Sequence, residues 1–323
     1  MTLFFLILAG LLLIVLAISY ICFVITFRVP KNDPVKNEEY PIPVGDIYEP
    51  WRDVMVAWMT QTRALPHTDV SIRSFDGLTL RGKYYEFAPG APVELMMHGY
   101  RGAAERDLCG GVQRCFALGH SALVVDQRGC GLSEGSVITF GVRESKDCLS
   151  WVEYLIQAYG KDVKILLTGI SMGASTVLMA GGQPLPENVI GILADCGYTS
   201  ARDIIKEVIR ALRLPPNLAY PFVRLGAWLF GRFNLEEDSA IEAVKRCRIP
   251  VIFFHGEADD FVPCRMSIEN YNACASEKKL VTISDAGHGL SYLIDPHRYL
   301  MEMSAFFADP TPPDTDFIFP DKT

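Results

Sequence analysis

Hydrophobic and polar positions divide the chain into two regions with different patterns. Residues 2–27 carry no charged side chain and are rich in Leu, Ile, Val and Phe. As a helix, this run would be about 39 Å long at roughly 1.5 Å per residue, which exceeds the roughly 30 Å hydrocarbon core of a bilayer. From about residue 67 onward, short apolar runs of strand length alternate with longer helix-like runs. The first pattern predicts one transmembrane helix, and the second predicts a folded domain of strands and helices.

We interpret residues 1–28 as an uncleaved membrane anchor. A cleaved signal peptide, the alternative, would begin with basic residues, have a shorter apolar core and end in small residues. Arg28, Lys31 and Lys36 follow the apolar run, and no basic residue precedes it. Because Lys and Arg favour the cytoplasmic side of a span, this distribution predicts a single-pass protein with its domain in the cytoplasm.

The region from residue 67 to residue 308 is predicted to be one α/β domain. Residues 69–75 and 78–87 read as strands joined at Asp76-Gly77, a sequence typical of hairpin turns. The alternation that follows predicts a mostly parallel sheet with helices on both faces. The later strand-like runs are residues 93–97, 122–125, 164–168, 189–194, 251–255 and 280–284.

Three segments fall outside this alternation. Residues 29–66 are predicted to form a polar linker and then a helix beside the domain, because tryptophan and methionine recur at helical spacing within 51–59. The segment at about 197–248 is too long to be a bare loop in a compact domain, and its helical patterns at 201–212, 219–230 and 239–246 predict a helical lid insert. Residues 309–323 are predicted to be an irregular tail.

Charge and cysteine usage exclude some classes of function. The net charge is −8 and no basic stripe occurs, so nucleic acid is not an expected partner. The nine cysteines are scattered, with no CxxC pair and no metal-ligand spacing. We therefore expect neither a metal site nor a disulfide framework, and free thiols of this kind suit a reducing compartment.

The strongest chemical signal is the run Gly169-Ile170-Ser171-Met172-Gly173. An apolar stretch of strand length precedes it and a helix-compatible stretch follows, which is the sequence form of a nucleophile elbow. Gly169 and Gly173 would let the strand and helix backbones approach closely. Ser171 would then be exposed near the positive end of the helix dipole. The alternative is an ordinary strand–turn–helix connection with an incidental serine.

A nucleophilic serine needs a base to take its proton. His288 lies in a loop between two glycines, after the last predicted strand and before a helix. That position suits a base that reaches over the edge of the sheet. His255 ends an apolar strand-like run and is predicted to be a buried structural residue.

A carboxylate should orient the base, and it is expected where a strand ends between Ser171 and His288 in the chain. Asp259 and Asp260 both follow the strand-like run 251–255. Asp259 is favoured because it fits a Gly-x-x-Asp-x-x-Val arrangement before a new turn. Asp195, which ends another strand-like run, is a third candidate.

Acyl transfer places negative charge on the former carbonyl oxygen, and two backbone N–H groups should receive it. The first is predicted to be the N–H of Met172, directly after the serine. The second is predicted to be the N–H of Tyr100, in the loop after the strand 93–97. Gly99 would permit the tight turn there, and the His98 side chain is predicted to support the loop.

Together, these motifs resemble those of α/β-hydrolases, over about residues 70–307. The chain is most similar to the bacterial branch that groups serine aminopeptidase-like, monoacylglycerol lipase-like and feruloyl esterase-like hydrolases. The resemblance implies an α/β-hydrolase fold and Ser–Asp–His catalysis without a cofactor. It also implies a mainly structural role for Asp126 and Ser133. The matching segments are residues 98–100, 126–133, 169–173, 256–263 and 287–288.

The sequence therefore predicts a membrane-anchored serine hydrolase that cleaves a small-molecule carboxylic ester through an acyl-enzyme. Hydrolysis of peptides, amides or thioesters by the same residues is the alternative, and a non-catalytic binding scaffold on this fold is a further one. The apolar residues of the insert have two interpretations, since they could line an acyl pocket or pack on the core. They are Ile204, Ile205, Ile209, Leu212, Phe222, Leu225, Trp228, Leu229 and Phe230.

Overall fold

A computed structural model describes residues 1–29 and 39–307 of the chain. Its centre is an eight-stranded sheet with the order β1-β2-β4-β3-β5-β6-β7-β8. The predictions that involve Lys31, Lys36 and the tail 309–323 lie outside the described residues. The strands are β1 Thr68–Arg73, β2 Thr79–Tyr85, β3 Val93–Met97, β4 Ser121–Asp126, β5 Ile165–Ile170, β6 Val189–Asp195, β7 Val251–Gly256 and β8 Lys278–Ile283.

The sheet begins with an antiparallel hairpin and continues as a parallel sheet. β1 pairs with β2 and β2 pairs with β4 in antiparallel register, whereas every pair from β4 to β8 is parallel. The predicted fold class, a mostly parallel α/β sheet, is confirmed. Because β5, β6 and β7 are parallel neighbours, the loops that follow their carboxyl ends lie along one edge of the sheet.

Helices cover both faces of the sheet. Successive side chains of β3 point to opposite faces, so apolar residues on each face need a helix to pack against. Leu95 and Met97 join the core beneath α5 (Glu144–Tyr159) and α6 (Met172–Gly181), whereas Met96 joins the cluster on the opposite face, beneath α4 (Gly111–Ala117). Every residue of β3 is buried, since neither face of a central strand meets water. Besides the first helix of the chain, the described residues outside the insert form α2 Arg52–Ala64, α3 Ala104–Asp107, α4 Gly111–Ala117, α5 Glu144–Tyr159, α6 Met172–Gly181, α10 Arg265–Ala273, α11 Ser291–Ile294 and α12 Pro296–Phe306.

The segment between β6 and β7 contains three helices, α7 Ala201–Ala211, α8 Pro216–Leu229 and α9 Ala240–Val244. The α7 helix begins at Ser200, whose hydroxyl accepts a hydrogen bond from the N–H of Asp203. Buried side chains of α7 and α8 share a core with the end of the first helix of the chain, whereas α9 joins the core beneath α6.

The first helix, α1 Thr2–Thr26, is long and apolar enough to cross a membrane. Most residues before Ser19 are exposed, whereas Phe23 and Phe27 are buried against the domain. Gly226 of α8 allows this contact, because a Cβ at that position would lie 2.4 Å from the carbonyl oxygen of Ser19. The last two turns of α1 are therefore part of the domain's packing.

Candidate active site

Ser171 lies at a sharp turn between β5 and α6. Its backbone has φ +57° and ψ −118°, a conformation that a non-glycine residue seldom adopts. A Cβ at position 169 would lie 2.2 Å from the backbone of Gly173, and a Cβ at position 173 would lie 2.0 Å from the carbonyl oxygen of Met97. Glycine is therefore required at both positions, as an elbow demands.

Hydrogen bonds join Ser171, His288 and Asp259 in a chain. The Ser171 Oγ lies 2.9 Å from His288 Nε2, and His288 Nδ1 lies 2.7 Å from Asp259 Oδ2. Because a carboxylate only accepts, Nδ1 carries the imidazole proton and Nε2 is free to accept the hydroxyl proton of Ser171. This arrangement is able to deprotonate the serine and to stabilise the imidazolium that results.

Asp259 is held as a carboxylate by its surroundings. Its Oδ1 accepts hydrogen bonds from the N–H groups of Phe261 and Val262 at 3.0 and 2.8 Å. Burial raises the pKa of Asp259, but hydrogen bonds from His255 and His288 outweigh burial and keep it well below its ordinary value. Asp259 is therefore the ionised partner that His288 requires.

His255 contributes to this site, a role that the sequence analysis did not assign. Its Nε2 lies 3.2 Å from Asp259 Oδ2 and 2.8 Å from the carbonyl oxygen of Val262, and its Nδ1 lies 2.7 Å from Ser267 Oγ. The prediction that it is buried was correct. His255 lies at the end of β7, four residues before Asp259. This spacing is the feature of the sequence that could have predicted the contact.

The two other candidate acids lie in different surroundings. Asp260 is exposed at the rim of the cavity described below. Asp195 is buried and accepts hydrogen bonds from Ser291 Oγ and the Tyr299 hydroxyl at 3.0 and 3.1 Å. Burial raises the pKa of Asp195, although these hydrogen bonds partly offset it. Of the three aspartates, Asp259 is the one whose carboxylate is hydrogen-bonded to His288.

The loop after β3 passes directly beside Ser171. A Cβ on Gly99 would lie 3.6 Å from the Ser171 Cβ, and the Gly99 N–H donates to Asp107 Oδ2 at 3.0 Å. His98 supports the loop, because its Nδ1 donates to the Gly99 carbonyl at 2.8 Å and its Nε2 accepts from the N–H of Gln127 at 2.9 Å.

Two backbone N–H groups border the serine. Met172 is the first residue of α6, where helix geometry leaves the N–H without an intrahelical acceptor. The N–H of Tyr100 donates to no acceptor among residues 1–29 and 39–307. These two N–H groups remain the predicted donors to an oxyanion.

A segment before α2 closes the other side of the site. The Tyr48 hydroxyl donates to the backbone carbonyl of His288 at 3.0 Å. The Phe261 ring lies edge-on to the His288 ring, with 5.1 Å between centroids. No local sequence signal identifies Tyr48, since its partner lies 240 residues away in the chain.

A cavity of about 720 Å³ opens onto Ser171 and His288. Its mainly apolar wall is built from the segment before α2, from α2 itself and from residues around α4 and α11. No residue of the insert at 197–248 lines it. Of the two interpretations of the insert, packing is therefore the correct one for Ile204, Ile205 and Ile209, which lie in one cluster with Phe23 and Phe27. The wall residues include Ile47, Tyr48, Met55, Trp58, Tyr100, Leu108, Cys109, Ile170, Phe261, Tyr292 and Leu293.

Cys196 lies beside the same acid–base pair, and its sulfur and ligand atoms of Asp259 and His288 are all within 4.8 Å of one another. This set fits a metal ion poorly. The imidazole and the carboxylate already face each other in a hydrogen bond. Burial, followed by the charges of Asp195 and Asp259, raises the pKa of the Cys196 thiol well above its ordinary value, whereas metal binding needs a thiolate.

Comparison with protein families identifies the class. The model of the alpha/beta hydrolase family matches residues 87–302. The chain therefore belongs to the alpha/beta hydrolase family, as the motifs in its sequence indicated.

Individual relatives are more distant. The chain is 27% identical over 190 residues to the uncharacterized protein YqkD of Bacillus subtilis, covering 58% of this chain and 62% of that protein. It is 28% identical over 172 residues to the human mitochondrial palmitoyl-protein thioesterase ABHD10, covering 48% and 52% of the two chains. The chain thus spans about half to three-fifths of these relatives' lengths.

Solved structures share the fold at low sequence identity. The Pyrococcus furiosus esterase Pf2001 aligns with a TM-score of 0.64 at 21% identity, over 83% of this chain and 96% of the esterase. Est1E from Butyrivibrio proteoclasticus, solved with ferulic acid bound, aligns with a TM-score of 0.59 at 20% identity, over 74% and 99% of the two chains.

Proposed function

We propose that this alpha/beta hydrolase is a serine hydrolase that cleaves carboxylic esters through an acyl-enzyme. One observation carries the proposal: the unbroken hydrogen-bond chain from Ser171 through His288 to Asp259. The same three residue types, in the same order along the chain, form the catalytic triads of hydrolases with this fold.

The reaction follows from the positions of these atoms. Ser171 Oγ attacks the ester carbonyl carbon while its proton passes to His288 Nε2, and Asp259 stabilises the imidazolium. The N–H groups of Tyr100 and Met172 receive the charge that develops on the carbonyl oxygen. His288 then donates the proton to the leaving alcohol, which departs and leaves an acyl group on Ser171. Water then attacks the acyl carbon while His288 takes its proton. The bond from that carbon to Ser171 Oγ breaks as His288 returns the proton to Oγ, which releases the acid and restores the serine.

The cavity and the relatives bear on the substrate class. A mainly apolar wall suits an acyl or aromatic group, with the polar atoms confined to the reacting end. Thioesters are the second candidate, because a relative is named a palmitoyl-protein thioesterase and a thioester needs the same nucleophile, base and oxyanion donors. Amides and peptides would require His288 to protonate an amine leaving group.

We further propose that α1 is an uncleaved, single-pass anchor with the domain on the cytoplasmic side. The buried Phe23 and Phe27 support retention of α1, because cleavage in front of the domain would expose the core that they fill. The orientation rests on Arg28 and on the lysines that follow it in the sequence.

The protein should therefore stay in the membrane fraction after a carbonate wash, and protease outside intact cells should leave the domain uncut. Release of a shortened soluble form would contradict the anchor.

A matched substrate panel tests the catalytic proposal. Ester, thioester and amide derivatives of the same acyl groups would be offered to the purified wild type, to Ser171→Ala and to Ser71→Ala, an exposed serine on the edge strand β1. The proposal predicts ester hydrolysis by the wild type and by Ser71→Ala, with loss of activity by orders of magnitude in Ser171→Ala. Undiminished turnover by Ser171→Ala would refute it.

A further inference from the structure

The carboxyl end of α1 is hydrogen-bonded to the loop that borders the candidate oxyanion site. The Tyr100 hydroxyl donates to the carbonyl of Thr26 at 2.7 Å. The Arg101 Nη2 donates to the carbonyls of Ile25 and Arg28 at 2.7 and 2.9 Å. Carbonyls in the last turn of a helix have no intrahelical donor, so they are free to accept these bonds.

The docked end of α1 is itself firmly held by the domain. The Phe27 ring is fully buried, with its centroid 5.7 Å from that of Phe140 and 5.3 Å from that of Phe233. The N–H of Ile138 donates to the Phe27 carbonyl at 2.8 Å, and Arg28 forms a β-bridge with Val137. These contacts hold the carboxyl end of α1 in one position on the domain.

The supported loop has a backbone that needs support. Arg101 has φ +52°, a left-handed conformation that costs energy in a residue with a side chain. Its carbonyl accepts a hydrogen bond from Arg106 Nη2 at 3.1 Å, and the Tyr100 ring packs on Phe140 with 5.1 Å between centroids. The peptide that carries the Tyr100 N–H is therefore fixed from one side by the domain and from the other by α1.

We infer that the carboxyl end of α1 is a working part of the active site, with the Tyr100 side chain and Arg101 acting as positioning residues for the Tyr100 N–H. This inference rests on the proposed serine hydrolase function. The segment that would anchor the chain in the membrane then also sets the geometry of one oxyanion donor. Displacing α1 should weaken binding of the transition state more than binding of the substrate, because the donor acts on charge that develops during the reaction.

Two variants of the full chain test this inference from opposite sides. Tyr100→Phe removes the hydroxyl that reaches Thr26 and keeps the ring on Phe140. Gly226→Val leaves the loop untouched, but its side chain would collide with the Ser19 carbonyl and displace α1 from α8. Tyr220→Phe, which loses a hydroxyl bonded to Glu236, is the control for the first variant. Gly10→Val is the control for the second, since a Cβ there meets nothing within 4 Å.

The measurements are kcat and KM for one ester, and the affinities for a trifluoromethyl ketone analogue of the tetrahedral intermediate and for the product acid. We expect both test variants to lower kcat by about tenfold or more, within the roughly 100- to 1,000-fold loss that follows removal of a whole oxyanion donor. KM and acid binding should stay within about twofold, ketone affinity should fall in parallel with kcat, and both controls should match the wild type.

Wild-type kcat and ketone affinity in both Tyr100→Phe and Gly226→Val, with Ser171→Ala inactive, would overturn this inference and leave the proposed function intact. A loss confined to KM or to thermal stability, with kcat unchanged, would also overturn it, because α1 would then be a purely structural support. Full activity in Ser171→Ala would instead refute the proposed function, and this inference with it.

Discussion

The Tyr48 hydroxyl donates a hydrogen bond of 3.0 Å to the backbone carbonyl of His288. Tyr48 lies before α2, outside the eight-stranded sheet, whereas His288 lies in the loop between β8 and α11. The segment ahead of the domain therefore does more than link it to α1. It closes one wall of the cavity and fixes the backbone that carries the proposed base.

Tyr48→Phe should lower kcat by about three- to tenfold, because a single hydrogen bond contributes a net 0.5–1.5 kcal/mol or so to fixing the loop. Steady-state kinetics on a soluble ester would measure the loss. Tyr271→Phe, on α10, is the matched control and should behave as the wild type. Equal kcat in the wild type and in Tyr48→Phe would show that the loop holds its geometry without this bond.

The two neighbouring aspartates should differ sharply in their effect on catalysis. Asp259→Asn removes the carboxylate that fixes the His288 tautomer and should reduce kcat by about 10,000-fold, as in a well-studied serine protease triad. Asp260→Asn changes an exposed side chain and should reduce kcat by less than about tenfold, which the same assay would measure on folded protein. The reverse ranking would assign the orienting role to Asp260.

Acyl-chain preference should depend on α2 and not on the insert. Met55 lines the cavity, whereas Trp228 of α8 is 65% exposed and lies outside it. Met55→Ala should shift the kcat/KM optimum toward longer acyl groups by roughly tenfold or more, since each methylene in an apolar pocket is worth about 1–3 kcal/mol. Trp228→Ala should leave the profile unchanged. A shift produced by Trp228→Ala and not by Met55→Ala would mean that the insert sets specificity.

A buried ion pair beside the cavity should make stability depend on pH. Burial raises the pKa of Glu94, but Arg114 and His120 outweigh burial and lower it to about 2 from an ordinary 4.5. A lowered pKa means that Glu94 contributes its full stability above pH 4.5 and loses it as the pH falls from there through about 2.

Glu94→Gln should therefore cost about 3–5 kcal/mol near neutral pH, because Arg114 stays buried without its partner. The difference from the wild type should shrink as the pH falls through that window. Denaturant unfolding at a series of pH values measures this, with the exposed Glu153→Gln as the control. A difference that stays constant down to pH 2 would contradict the lowered pKa.

The sequence was most informative where a local pattern determines the structure. The elbow at Ser171 and the strand before it depend on residues within a few positions of one another, so their prediction needs no tertiary information. The preference for Asp259 over Asp260 agrees with the observed contact to His288, since a turn after a strand fixes which of two adjacent side chains faces the site.

The remaining parts of the site come from contacts between distant segments. The bonds from Tyr48 to His288 and from Tyr100 to Thr26 join residues 240 and 74 positions apart. No periodicity or motif marks such pairs in a single sequence. For the same reason, the sequence could not decide whether the apolar residues of the insert pack on the core or line an acyl pocket, because α1 was predicted to be an anchor separate from the domain.

Detection of an acyl-enzyme on Ser171 is the most direct test of the central claim. The protein would be mixed with excess p-nitrophenyl ester, quenched at low pH within the first turnover, and analysed by peptide mass spectrometry. We predict a burst of p-nitrophenol of about one equivalent where deacylation limits turnover. The acyl mass should appear on the peptide that contains Ser171 and be absent in Ser171→Ala. A burst with no acyl adduct, or an adduct on another residue that is retained in Ser171→Ala, would contradict the account.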